Sequence, residues 1–206
     1  MMNFLFATSV VVLGDSACPK YADIQQPTVA RGAFDPAELE GVWYQLATTE
    51  PTMPAICKCG VNVIHVHTES GTYDYHNIDR CAGALNVSVP IKGNLSGDAA
   101  TPGLLAENWA PWNTTHFKLL PNMVFDVSRN AAGAIDAVFL YACLGKLIPI
   151  VGRSKFSFNV LHRSNRLARA EIDALVAHAN VTTAGMLELT GLRYNDVASY
   201  HTCGMI

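Results

Sequence analysis

The chain has 206 residues, of which 50% are hydrophobic and 15% charged, and its formal net charge is −3. A soluble domain usually carries about 25% charged residues, so much of this apolar surface faces a ligand, a partner or a membrane. The negative balance gives no electrostatic support for nucleic-acid binding, the length suits one ordinary domain, and beyond the first residues no apolar run is long enough to span a bilayer.

Met1–Ala17 reads as a secretory signal, with Phe4–Leu13 as its apolar core and Asp15-Ser16-Ala17 as small residues near a cleavage point. The single domain is then 18–206. Four Asn-x-Ser/Thr triplets, at Asn86, Asn94, Asn113 and Asn180, permit glycosylation in that compartment. An even count of six cysteines behind a signal suggests disulfides: Cys18 near the new N-terminus, Cys57, Cys59, Cys81, Cys143, and Cys203 near the end. A thiol metal site or reduced core cysteines are the alternatives, although Cys57-Lys58-Cys59 lacks the two-residue gap of common zinc motifs.

Cys18–Ala33 has no periodicity and forms an N-terminal arm. Asp35, Pro36 and Glu38 open a short capped helical turn. Gly41 lets the backbone turn into a strand over Val42–Thr49, with Trp43 at its entrance. Gly60–Thr68 alternates as a second strand, Glu69-Ser70-Gly71 turns, and Thr72–Ile78 returns with Tyr73 and Tyr75 on one face. Short strands fit Ala84–Ile91 and the stretch after Gly103. Ala100–Asn113 is irregular. His116–Leu120 and Met123–Ser128 fit two more strands separated by Pro121-Asn122. Ala134–Cys143 is apolar on nearly both faces, as for a strand covered on both sides, and Lys155–His162 is the last long strand. Ala168–Ala179 is the one helix, with Ala168, Ile172, Leu175, Val176 and Ala179 on one stripe, Asn165 as its cap and His178 near its negative end.

Many antiparallel strands with hairpin gaps and one late helix indicate an all-β barrel or sandwich. Four markers narrow this: Gly41-Val42-Trp43-Tyr44, Val138–Cys143, Leu161-His162-Arg163 before the helix, and the tail ending at Cys203. In this order over 18–203 the chain resembles the lipocalin family and is similar to its apolipoprotein D group. The resemblance implies an eight-stranded antiparallel up-and-down barrel with the C-terminal helix packed outside. Gly41, Trp43 and Arg163 form the barrel base, with Arg163 stacked on the indole. It also implies disulfides Cys18–Cys143 and Cys59–Cys203. Cys57 and Cys81 then remain for an extra bridge, and an exchange of Cys57 with Cys59 is open.

The expected function is transport of a small hydrophobic ligand, such as a fatty acid, sterol, retinoid, carotenoid or tetrapyrrole, in the barrel cavity. Val61, Val63, His65, Tyr75, Val138 and Leu140 are wall residues expected to line it. Trp109, Trp112 and Phe117 belong near the mouth, for pocket lining or contact with a membrane or lipoprotein. Asn159 stands where the resembling group carries an aromatic pocket residue. No cofactor, nucleic acid or resident metal is expected; His65, His67 and His76 on neighbouring strands make a metal conceivable without completing a site. Two alternatives are an isomerase or de-epoxidase using His65, His67 or Asp136, and a structural subunit of a membrane-associated or photosynthetic complex. The expected location is secreted or lumenal, with a plastid lumen as the alternative.

Overall fold

The chain enters the barrel through a reciprocal cap. Asp35 Oδ1 accepts the N–H of Ala37 at 2.9 Å, and Glu38 Oε2 accepts the N–H of Asp35 at 3.3 Å, around the 3-10 turn Pro36–Leu39. Gly41 follows with φ +106°, a left-handed conformation that favours glycine, and β1 (Gly41–Thr48) begins there. The computed structural model describes residues 19–49, 56–81, 86–108, 120–143 and 156–195. The expectations for Met1–Ala17, Cys18, Trp109, Trp112, Asn113, Phe117 and Cys203 lie outside these residues.

Seven further strands follow: β2 (Cys57–His67), β3 (Thr72–Cys81), β4 (Asn86–Asn94), β5 (Leu104–Asn108), β6 (Leu120–Arg129), β7 (Ile135–Cys143) and β8 (Phe156–His162). Each pairs antiparallel with the next, and β1 pairs with both β2 and β8, which closes the ring. A closed eight-stranded antiparallel barrel results, as expected. A short β9 (Arg193–Tyr194) pairs with Ala47 and Thr48 at the upper end of β1. The helix after β8, α2 (Arg169–Thr182), lies outside the barrel, and a single-turn α1 (Tyr21–Ile24) precedes the first 3-10 turn. Among the described residues no helix is long and apolar enough to cross a membrane.

Several expected boundaries shift, and two of the changes alter how an element is built. Pro121-Asn122 does not divide two strands: β6 runs through both, with Pro121 opposite Ala106. Proline is tolerated so near a strand's start, where little of the ladder precedes it. The helix cap also moves. Asn165 does not cap it; the N-cap is Ala168, whose N–H is taken by Glu171 Oε2 at 2.6 Å. Ser164 Oγ instead accepts the N–H of Arg166 at 3.1 Å, a local turn that precedes the helix.

Two apolar layers hold the wall. Outside, Phe125, Phe139 and Phe158 of β6, β7 and β8 pack against Ile172, Val176 and Ala179 of α2. The doubly apolar β7 is explained by this: Ala137, Phe139 and Tyr141 face the helix side, while Val138 and Leu140 face inward. A second tie crosses the same layer. Buried Asp126, beside a β-bulge in β6, accepts from Thr28 Oγ1 on the arm and bonds His178 Nε2 of α2 at 2.8 Å. His178 is therefore engaged with the wall as well as sitting near the helix end. Inside, Val29, Phe34 and Leu39 from the arm and the capped turn join Trp43, Val138 and Leu161 to fill the lower barrel.

Candidate functional site

The floor is built from both ends of the wall. Trp43 is fully buried, and its Nε1 donates to the carbonyl of Leu39 at 2.8 Å. Arg163, one residue past β8, places its guanidinium carbon 3.5 Å from the indole centroid. Its Nη1 donates to Val42 O at 3.1 Å, and its Nη2 donates to Glu38 O and Glu40 O at 3.0 and 2.8 Å. The cation thus satisfies the open carbonyls at the end of the 3-10 turn while covering the ring. Gly41 leaves the room: a Cβ there would stand 3.0 Å from Arg163 Nη1. Gly41, Trp43 and Arg163 are together at the closed end.

A small cavity of about 20 Å³ lies against this floor, between Trp43, Leu39, Ile64, Leu105, Val138, Leu140 and Leu161, with Tyr73 and Tyr75 across it. That volume holds about one water. Glu107 and Asn122 also reach it. The Tyr73 hydroxyl and the Asn122 amide both donate to Glu107 Oε1, at 3.2 and 2.5 Å. Burial, reinforced by the Glu107 carboxylate, pushes the Tyr73 phenol well above its ordinary pKa.

Polar side chains follow towards the far end. Asn62 is fully buried, and its Oδ1 accepts from Tyr75 Oη at 2.8 Å and Asn77 Nδ2 at 3.1 Å. On the β1–β8 side, Asn159 Oδ1 accepts from Gln45 Nε2 at 2.7 Å and Thr48 Oγ1 at 2.6 Å, while its Nδ2 donates to Ser157 Oγ at 3.0 Å. Asn195 after β9 donates to the carbonyl and side-chain oxygens of Gln45. The lumen is therefore graded, with an apolar floor beneath a belt of amides and hydroxyls.

The expected lining residues divide. Tyr75, Val138 and Leu140 reach the cavity. Val61, Val63 and His65 do not, because in β2 it is Asn62 and Ile64 that point inward. Val61 joins the outer cluster, Val63 is partly buried, and His65 is exposed beside Glu40 at 3.0 Å. Asn159 belongs to the amide belt, where it is tied to three polar neighbours and does not border the cavity. His67 pairs with Asp74 at 3.0 Å on the exterior, and His76 is exposed. Asp136, at the bulge that starts β7, does not line the cavity. Among the described residues no three metal-ligating side chains stand together.

Cys57 and Cys81 are opposite each other on β2 and β3 and form a disulfide. Cys59 is also disulfide-bonded. The partners expected for Cys59 and Cys143 lie outside the described residues.

No family model and no curated protein matches the sequence. Solved structures do share its fold. Lobster apocrustacyanin A1 is 17% identical over 78% of each chain, with a TM-score of 0.53. Insecticyanin from the tobacco hornworm Manduca sexta is 13% identical over 84% of this chain and 85% of its own, with a TM-score of 0.60. The cockroach allergen Per a 4 is 13% identical over 84% and 95%, at 0.50. All three are lipocalins, and the architecture of this chain is the lipocalin fold.

Proposed function

We propose that the protein is a secreted lipocalin that carries a small hydrophobic ligand within its barrel. The observation that carries this reading is the closed wall, sealed at one end by Trp43 under Arg163, with unfilled apolar space above the seal. The floor of such a lumen rewards apolar burial by about 25 cal/mol per Å², and the belt above it supplies polar groups that can orient a ligand. The floor cavity holds about a water, so the ligand body lies towards the open end or displaces the partly exposed Tyr75.

The Cys57–Cys81 disulfide supports an oxidising location, with Met1–Ala17 as the leader and 18–206 as the mature domain. Kinship with the apolipoprotein D group, and the pairings Cys18–Cys143 and Cys59–Cys203, belong to this proposal. The groups weighed for an enzyme, His65, His67 and Asp136, all lie off the cavity, which favours a carrier. The test is extraction of the natively expressed, purified protein followed by mass spectrometry. A stoichiometric apolar compound is expected. An empty barrel that also fails to take up Nile red would end the carrier reading.

A further inference from the structure

Two polar atoms in the amide belt have no hydrogen-bond partner among the described residues: Asn62 Nδ2, a donor, and Asn77 Oδ1, an acceptor. Asn62 is fully buried, and both atoms are sealed from solvent. The residues are directly opposite each other on β2 and β3. Both point into the lumen, since Asn62 alternates with Ile64 and Asn77 with Tyr75, and both Ile64 and Tyr75 border the cavity. Tyr75 Oη and Asn77 Nδ2 already share Asn62 Oδ1. Exchanging N and O in both amides leaves the same count, one open donor and one open acceptor. Buried polar atoms left open in this way are costly; neither residue borders the floor cavity, so a group that fills both reaches them where the adjoining Tyr75 gives way.

We infer that the Asn62–Asn77 pair is the polar seat of the ligand and selects a neutral hydroxyl-bearing molecule over a fatty-acid anion. This rests on the carrier reading above. A ligand hydroxyl accepts from Asn62 Nδ2 and donates to Asn77 Oδ1, reproducing both bonds of any water it displaces. A carboxylate satisfies the donor but has no proton for Asn77 Oδ1, and it brings negative charge against that oxygen. The same lumen already carries the Glu107 carboxylate at its cavity, and its charge opposes a second anion.

Calorimetric titration of the full protein with decanol and with decanoate, at neutral pH, separates the cases. Decanol is expected to bind about tenfold more tightly, the scale of one or two buried hydrogen bonds. Replacing the seat by apolar groups, with Asn62→Leu, Asn77→Leu and Tyr75→Phe combined, is expected to remove that preference while Nile red uptake persists. Equal affinity, or tighter decanoate binding, in the natural protein overturns the inference and leaves the carrier reading intact. A preference that survives in the triple variant also overturns it. Failure of the natural protein to bind decanol, decanoate and Nile red alike removes the carrier reading itself.

Discussion

Arg163 and Trp43 lie face to face, 3.5 Å from guanidinium carbon to ring centre, although the strands that deliver them are the first and last of the barrel. The contact combines a shielded cation–π interaction with three hydrogen bonds to carbonyls of the adjoining turn and strand. Arg163→Ala is expected to cost about 2–4 kcal/mol. Arg163→Lys should recover little, because an ammonium cannot both stack flat and reach three carbonyls. Urea unfolding checks this; a lysine variant as stable as the natural protein would show the planar fork to be irrelevant.

Gly41 should tolerate no side chain. At φ +106°, and with Arg163 Nη1 only 3.0 Å from where a Cβ would sit, alanine strains the backbone and pushes on the guanidinium together. A loss of roughly 1–3 kcal/mol is expected. If the same glycine matters only through Arg163, the loss in an Arg163→Ala background should shrink, which a double-mutant cycle measures.

The Cys57–Cys81 bridge joins residues 24 apart in sequence. Chain entropy alone assigns it about 3 kcal/mol. Cys57→Ser with Cys81→Ser should lower stability by about that amount while leaving ligand uptake measurable, since neither cysteine borders the floor cavity. Nile red uptake before and after the substitution tests the second half of the statement.

Acid should weaken the fold from near neutrality downward. Burial holds the His162 imidazole below its ordinary pKa of 6.5, with Asp136 pulling the other way, and its Nδ1 accepts the N–H of Ser164 at 2.8 Å. The unfolded chain takes up a proton near 6.5 that the folded chain resists. The contribution is therefore whole above that pH and is lost as pH falls through it towards the folded value. The unfolding midpoint should begin to drop below about pH 6.5, and His162→Gln should flatten that first part of the decline.

Alkali acts through buried phenols with the opposite sense. Burial pushes Tyr141 up to about 12 and Tyr73 well above its ordinary 10.0. A raised phenol gives stability that is complete below 10 and drains away as pH rises towards the folded value. Phenolate absorbance should therefore keep rising together with unfolding in strong alkali; full ionisation of Tyr73 and Tyr141 in a still-folded barrel would contradict their burial.

Much of this barrel was legible in the sequence. Capping residues Asp35 and Glu38, the strand entered by Gly41-Val42-Trp43, the doubly apolar β7 and the stripe on α2 each depend on local pattern, and local pattern survives into the fold. The lining of β2 was harder because it depends on register. Ending that strand at Thr68 sets Tyr75 beside His65 and Asn77 beside Val63. The hairpin instead pairs His67 with Thr72 and Tyr75 with Ile64. One residue of slip turns every side chain to the other face. Nothing in the mixed run Val61–His67, apolar at alternate positions on both faces, reveals that slip. Glu107 and Asn122 escaped notice for a related reason, since short β5 pairs with β6 around Pro121 and carries little periodicity of its own.

The bond from Arg163 to the carbonyl of Val42 spans 121 positions of chain. During synthesis, β1 must wait until β8 (Phe156–His162) has followed before its second neighbour exists. Such long-range closure makes for slow folding, and a waiting strand with an open edge is exposed to wrong partners. The seal at the base therefore closes only once β8 has arrived, so it sets the order of assembly as well as the final shape.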